Sequence, residues 1–126
     1  MKVFVYGTLL TGESNHHVAA PFIQDRHPGV VKGRLYNTGS FPAAVLDPDG
    51  YEIEGEWFDV TENGLKRMDM LEGYRGEGQR NFYDRVGVKD LHSGTEGYMY
   101  VWREASNLPE IKGGSWKKRN EAAAIC

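Results

Sequence analysis

Short runs of β-branched and aromatic residues, each stopped by glycine or proline, recur along most of the chain. Lys2–Tyr6, ended by Gly7, predicts a first strand. Val30–Tyr36, Ala43–Leu46, Ile53–Val60, Asn81–Val88 and Gly97–Trp102 read the same way. In Ile53–Val60, Ile53 and Trp57 share one face, with Phe58 and Val60 offset; in Gly97–Trp102, Tyr98, Tyr100 and Trp102 alternate with Met99 and Val101. Helical periodicity is clear only over Thr61–Leu71. Asn15–Ile23 suggests a second, short helix, with Ser14 able to cap it and Pro21 bending or ending it. Strands outnumber helices and do not alternate with them regularly. That favours an α+β fold with a mixed sheet, closed or strongly curled.

Glycine is the compositional outlier, 16 of 126 residues, dispersed without a repeat. It marks the turns of a strand-rich chain. A 14.2 kDa chain buries about two-thirds of its unfolded surface, enough for one core without a metal or disulfide staple. No composition shift divides it, so residues 1–126 read as a single domain, with about 117–126 as a tail and the segment after Pro109 wrapping the surface. No apolar run reaches the ~18–20 residues of a membrane span, and the run at Met1–Leu10 is broken at Tyr6-Gly7-Thr8, too soon for a signal peptide. The one cysteine, Cys126, leaves no internal disulfide and no cysteine-built metal site; the cytoplasm is the expected compartment.

Net charge is −3, and nucleic acid is not an expected partner. Basic residues collect in the second half, including Lys117-Lys118-Arg119, which reads as a solvated stretch. Glu52, Glu54 and Glu56 read as the solvated face of a strand. His16 and His17 are adjacent and diverge on a helix, while His27 and His92 stand alone, so no metal site is expected. There is no G-x-S-x-G elbow, no P-loop and no calcium loop.

Two stretches carry candidate chemistry. Tyr6-Gly7-Thr8-Leu9 leaves the first strand in a glycine-bracketed loop that can turn successive N–H groups toward an anion or a carbonyl oxygen; the same pattern also fits an ordinary strand-to-helix turn. In the predicted helix, Glu72 falls about 20° from Leu65 and about 40° from Met68 around the axis, on the apolar stripe. Burial and the negative end of the helix dipole both raise the pKa of a carboxylate there, which suits a general acid or base near neutrality. Gly73 follows as a left-handed cap. A frayed last turn with Glu72 in water fits the spacing equally well.

These stretches carry a resemblance. Val3-Phe4-Val5-Tyr6-Gly7-Thr8-Leu9, Gly12, Asn15-His16, Gly33-Arg34-Leu35-Tyr36, Phe41-Pro42-Ala43, Gly55-Glu56-Trp57, Met68-Asp69-Met70-Leu71-Glu72-Gly73-Tyr74, Tyr83-Asp84-Arg85 and Gly113-Gly114-Ser115-Trp116 occur in the order seen in the γ-glutamylcyclotransferase-like family. The chain resembles most its γ-glutamylamine cyclotransferase branch. Met68 stands where leucine is usual, and Leu10-Thr11 replace a basic residue often found after the loop.

The resemblance implies a small mixed β-barrel flanked by helices with a cavity at its mouth. It implies that Tyr6, Gly7, Thr8 and Leu9 bind a γ-glutamyl group and that Glu72 is the catalytic acid/base; Tyr83 is drawn toward the site by the Tyr83-Asp84-Arg85 match. The reaction expected is closure of a γ-glutamyl amide to 5-oxoproline with loss of an amine or amino acid, a chemistry that calls for no metal, nucleotide or redox cofactor. The leaving amine is open: an amino acid, Cys-Gly, a polyamine or a lysine side chain. The alternative is a non-catalytic ligand-binding domain of the same fold. Oligomeric state is not readable from the sequence.

Overall fold

The computed structural model describes residues 1–120; Cys126 lies outside the described residues. The elements are β1 (Lys2–Val5), α1 (His16–Ala19), a 3₁₀ turn (Ala20–Phe22), β2 (Ile23–Asn37), β3 (Pro42–Leu46), β4 (Tyr51–Val60), α2 (Glu62–Glu72), β5 (Asp84–Lys89) and β6 (Glu96–Val101). The six strands form one sheet in the order β3-β2-β4-β1-β6-β5. Neighbours are antiparallel except β1 and β6, which run parallel. The expected α+β fold with a mixed, curled sheet is therefore present, as a half-barrel with two helices.

Strand alternation builds the core on both sides of this sheet. From β1, Val3 and Val5 join Phe58, Val60, Leu65, Met68 and Tyr100 on the helix-covered side. Phe4 and Tyr6 turn the other way, to Ile53, Trp57, Met99 and Val101 inside the curl. The faces expected for Ile53/Trp57 against Phe58/Val60, and for Tyr100 against Met99/Val101, are those observed.

The curl is fixed by one hydroxyl. Tyr6 Oη donates to the carbonyl of Tyr100 at 2.7 Å and accepts from the amide of Ala44 at 3.1 Å. Trp102 N–H adds a bond to the Ala44 carbonyl at 2.9 Å. The edge strand β3 is thereby drawn over the end of β6. On the other flank Asp90, 5% exposed, accepts from Trp57 Nε1 and from the amides of Val30, His92 and Ser93. Burial works against its ionised form, but those four donors outweigh it and hold the carboxyl well below the usual range.

Some boundaries differ from the sequence reading. β2 begins at Ile23, not Val30, because Ile23–Gly29 pairs with Val60–Gly55 of β4 despite poor strand formers. β3 pairs only with Gly33–Asn37 of β2, so Pro28 lies on an open edge where its missing N–H costs nothing. The predicted helix Asn15–Ile23 is one α-helical turn and a 3₁₀ turn holding Pro21. Ser14 does not cap it: Asn15 occupies the cap position and makes no side-chain capping bond. β5 starts at Asp84 because Phe82 and Tyr83 spend their amides on the end of α2, donating to Gly73 O at 3.0 Å and Glu72 O at 3.1 Å.

The chain beyond Pro109 wraps the barrel. Ile111 N–H donates to Leu35 O, Glu54 N–H donates to Gly114 O, and Trp116 is buried. Lys117 Nζ donates to the carbonyl of Thr11, and Arg119 lies 3.7 Å from the centre of the Trp116 ring. The basic triplet, exposed as it is, is thus held against the body of the fold. Among the described residues no helix is long and apolar enough to cross a membrane.

Replacing Tyr6 by Phe leaves a buried amide and a buried carbonyl without partners. Urea unfolding should show a loss of about 2 kcal/mol, with the midpoint lowered and the slope unchanged. An unchanged midpoint would mean that the hydroxyl does not hold the curl.

Candidate active site

Helix α2 delivers the carboxylate. Thr61 caps it, its side chain accepting from Gly64 N–H at 3.2 Å, and Leu65 and Met68 bury its apolar stripe. Gly73 ends it at φ 68°, where a side chain is strained, and Tyr74 N–H closes back on Asp69 O at 2.9 Å. Glu72 is therefore held on the last turn; it is half-buried and faces a cavity of about 320 Å³.

The loop after β1 forms the facing wall. Gly7, Thr8 and Leu9 line the same cavity, with Tyr6 beneath them and Tyr83 across. Every site residue expected from the sequence is thus brought to one place. A Cβ on Gly7 would lie 2.5 Å from Pro42 Cγ, so only glycine lets the Pro42 wall approach the loop. The loop is gripped from outside. Asn15 donates its backbone N–H to Thr8 O at 2.8 Å and its side-chain amide to Thr8 Oγ1 at 3.0 Å. His16 Nδ1 sits 2.9 Å from Leu9 O. Glu56, read from the sequence as solvated, instead accepts from Thr11 N–H at 2.9 Å and Thr11 Oγ1 at 3.0 Å.

These anchors engage the Thr8 and Leu9 carbonyls, the Thr8 hydroxyl and Thr11, and leave the Gly7–Leu9 amides free. Among the described residues, none of the Gly7, Thr8 and Leu9 N–H groups has an intramolecular acceptor, although Gly7 and Leu9 are buried. Buried amides are nearly always paired, so three successive open ones mark a place for an acceptor from outside.

Glu72 is left open in the complementary sense. Among the described residues its carboxylate has neither a hydrogen-bond donor nor a cation, and it is the one ordinarily charged side chain lining the cavity. Burial pushes its carboxyl from 4.5 up to about 7. One turn earlier Asp69 is saturated, accepting from Arg85 and from Tyr100 Oη, both at 2.6 Å. Arg85 is in turn sandwiched by the Tyr74 and Tyr98 rings, at 4.8 and 4.5 Å, which keeps its charge away from Glu72. Tyr6, Tyr83 and Tyr100 all lie within reach of the Glu72 charge, and burial raises each hydroxyl above its ordinary value. At neutral pH they are uncharged. Tyr83 Oη donates to Pro42 O at 2.7 Å, fixing the wall that packs against Gly7.

The arrangement can accept a proton and hold a carboxylate or oxyanion in the same cavity. Known proteins share the chain that builds it. The family model described as γ-glutamyl cyclotransferase, AIG2-like, matches residues 3–118. The chain belongs to that family. The γ-L-glutamyl-butirosin B γ-glutamyl cyclotransferase of Niallia circulans is 36% identical over 121 residues, 93% of this chain and 76% of that protein. The γ-glutamylcyclotransferase family protein YtfP of Escherichia coli K12 is 28% identical over 96% of this chain and all of that protein. Among solved structures, an AIG2-like protein from Mus musculus superposes with a TM-score of 0.68 at 24% identity, over 86% of this chain and 83% of that one. A protein from Pyrococcus horikoshii gives 0.73 at 19%, over 99% and 97%. The chain is an enzyme of the γ-glutamylcyclotransferase kind.

The sequence reading of this γ-glutamylcyclotransferase site missed part of its wall. Ser40, Phe41, Pro42 and Phe82 also line the cavity. Phe41-Pro42 stood in a matching motif and could have been found; Phe82 carries no local signal, because its place depends on the docking of its amide to Gly73.

A group whose pKa is raised on folding binds its proton more tightly in the native state, so ionised Glu72 destabilises the fold as pH rises from about 4.5 through about 7. Glu72→Gln should therefore raise Tm at pH 8 by roughly 3–6 °C, the shift for about 1 kcal/mol in a domain of this size. At pH 4 the difference should be close to zero. Equal Tm values at both pH values would show that the carboxyl titrates as if in water.

Proposed function

We propose that this chain converts a γ-glutamyl amide to 5-oxoproline and releases the amine, with Glu72 as the general acid/base. The observation that carries the reading is the unpartnered Glu72 carboxyl, raised to about 7, sharing one cavity with the open Gly7–Leu9 amides. The reaction needs those two elements. Glu72 takes a proton from the substrate's α-ammonium. The freed amine attacks the γ-carbonyl carbon, a C–N bond forms, and the carbonyl becomes a tetrahedral oxyanion. The old amide C–N bond then breaks as Glu72 returns the proton to the leaving nitrogen, and the extra proton left on the ring nitrogen passes to the released amine, which departs as an ammonium and leaves a neutral lactam nitrogen.

Loop N–H groups hold the oxyanion or the α-carboxylate, each worth a few kcal/mol in such a site. Folding the substrate so that its own amine meets its own carbonyl makes the attack intramolecular. Tyr6 and Tyr83, whose hydroxyls are engaged on Tyr100, Ala44 and Pro42, shape the γ-glutamyl compartment with their walls. The name of the Niallia circulans relative, which carries a γ-glutamyl group on butirosin B, supports a substrate of this class.

Glu72→Gln keeps the shape and cannot carry the proton. Turnover measured as 5-oxoproline release should fall by about 10²–10⁴, with KM moving far less than kcat. For the wild type, kcat/KM should decline below pH 7 as Glu72 takes up its proton in the free enzyme. Glu62→Gln, on the first turn of the same helix, is the control with unchanged rate. Equal rates for wild type and Glu72→Gln would make Glu72 structural. Release of 5-oxoproline from no γ-glutamyl compound would leave the ligand-binding alternative.

A further inference from the structure

The interior and the rim of the cavity differ in kind. Inside are the loop amides, Asn15 and Glu72, the polar groups that suit a γ-glutamyl unit. At the rim are Phe41, Leu71 and Phe82, which line the cavity and also face solvent. Phe82 is 58% exposed and Leu71 39%. A lone exposed apolar residue needs no explanation, but three contiguous with a cavity do.

Phe82 is also held in place. Its amide donates to Gly73 O at 3.0 Å, beside Glu72, and three rings pack against it edge-on: Phe41 at 5.8 Å, Tyr83 at 5.3 Å and Trp102 at 5.6 Å. The cavity is at the small end of the ~300–1,000 Å³ typical of ligand pockets, so a γ-glutamyl unit bearing a sizeable amine brings that amine's body against the rim.

Charge narrows the choice further. Among the described residues that line the cavity there is no lysine, arginine or histidine to meet the carboxylate of a leaving amino acid or dipeptide. The one carboxylate is Glu72, which the reaction engages with the α-ammonium, so a second ammonium on a polyamine or lysine finds no partner. Resting on the cyclotransferase reading above, we propose that Phe82, with Phe41 and Leu71, forms the leaving-group subsite. It selects γ-glutamyl amides whose amine carries an uncharged apolar or aromatic body.

The test compares kcat/KM for 5-oxoproline release from four compounds: the γ-glutamyl amides of 2-phenylethylamine and of ethylamine, γ-glutamylglycine and Nε-(γ-glutamyl)lysine. The phenylethylamide should exceed each of the others by about tenfold or more, the scale of a ring gaining an apolar contact. Phe82→Ala should lower the phenylethylamide value about tenfold, chiefly through KM, and lower the ethylamide value by a clearly smaller factor. Phe82→Leu should restore most of the loss.

A preference for either charged compound, or an equal loss on all four in Phe82→Ala, would overturn the subsite while leaving the cyclotransferase intact. No 5-oxoproline from any of the four with wild-type protein would overturn both.

Discussion

The hydroxyl of Tyr6 ties three strands together, donating to Tyr100 at the end of β6 and accepting from Ala44 in the middle of β3. Those strands lie near opposite ends of the sheet order, and a flat sheet would keep them far apart. Curled, the sheet brings Pro42 at the start of β3 against the Gly7 loop and sets α2 and the Phe82-Tyr83 segment across the opening. The cavity exists because the sheet bends. Among the described residues the Gly7–Leu9 amides that line it have no acceptor, while Asn15, His16 and Glu56 hold other groups of the loop.

Two acids, one buried and one half-buried, show how the fold separates stability from chemistry. Asp90 collects four donors, and the strands around it are fastened by a carboxylate that stays ionised. Among the described residues Glu72 has none, and its charge is left uncompensated near neutral pH. An unpaired carboxylate in a partly desolvated site costs stability and gives in exchange a group that can take up and return a proton. Asp69, one turn away, absorbs Arg85 and Tyr100, so neither reaches Glu72 to lower its pKa.

Much of this was legible before the structure. The alternation in β4 and β6 assigned residues to the correct faces, and the helical angle placed Glu72 on the stripe of Leu65 and Met68. Features that rest on long-range pairing were not legible. Residues 23–29 are polar and hold a strand only because β4 lies alongside. Glu56 alternates like a solvated residue, yet meets Thr11 across 45 positions. Asn81–Tyr83 has strand composition, but the Phe82 and Tyr83 amides are taken by the end of α2, and that exchange creates the aromatic rim. Local pattern encodes which side a residue faces; the partner that completes it comes from elsewhere in the chain.

In the proposed reaction Glu72 and the Gly7–Leu9 amides act on one γ-glutamyl group in one cavity. An NMR titration with 5-oxoproline, the expected product, tests it most directly, reading backbone amides and the Glu72 side-chain carboxyl carbon in the same samples. The account predicts that the Gly7, Thr8 and Leu9 amides and the Glu72 carboxyl shift together and saturate at one concentration, and that the unliganded Glu72 carboxyl titrates near pH 7. Shifts confined to another face of the protein, or a Glu72 carboxyl titrating near its ordinary 4.5, would contradict it.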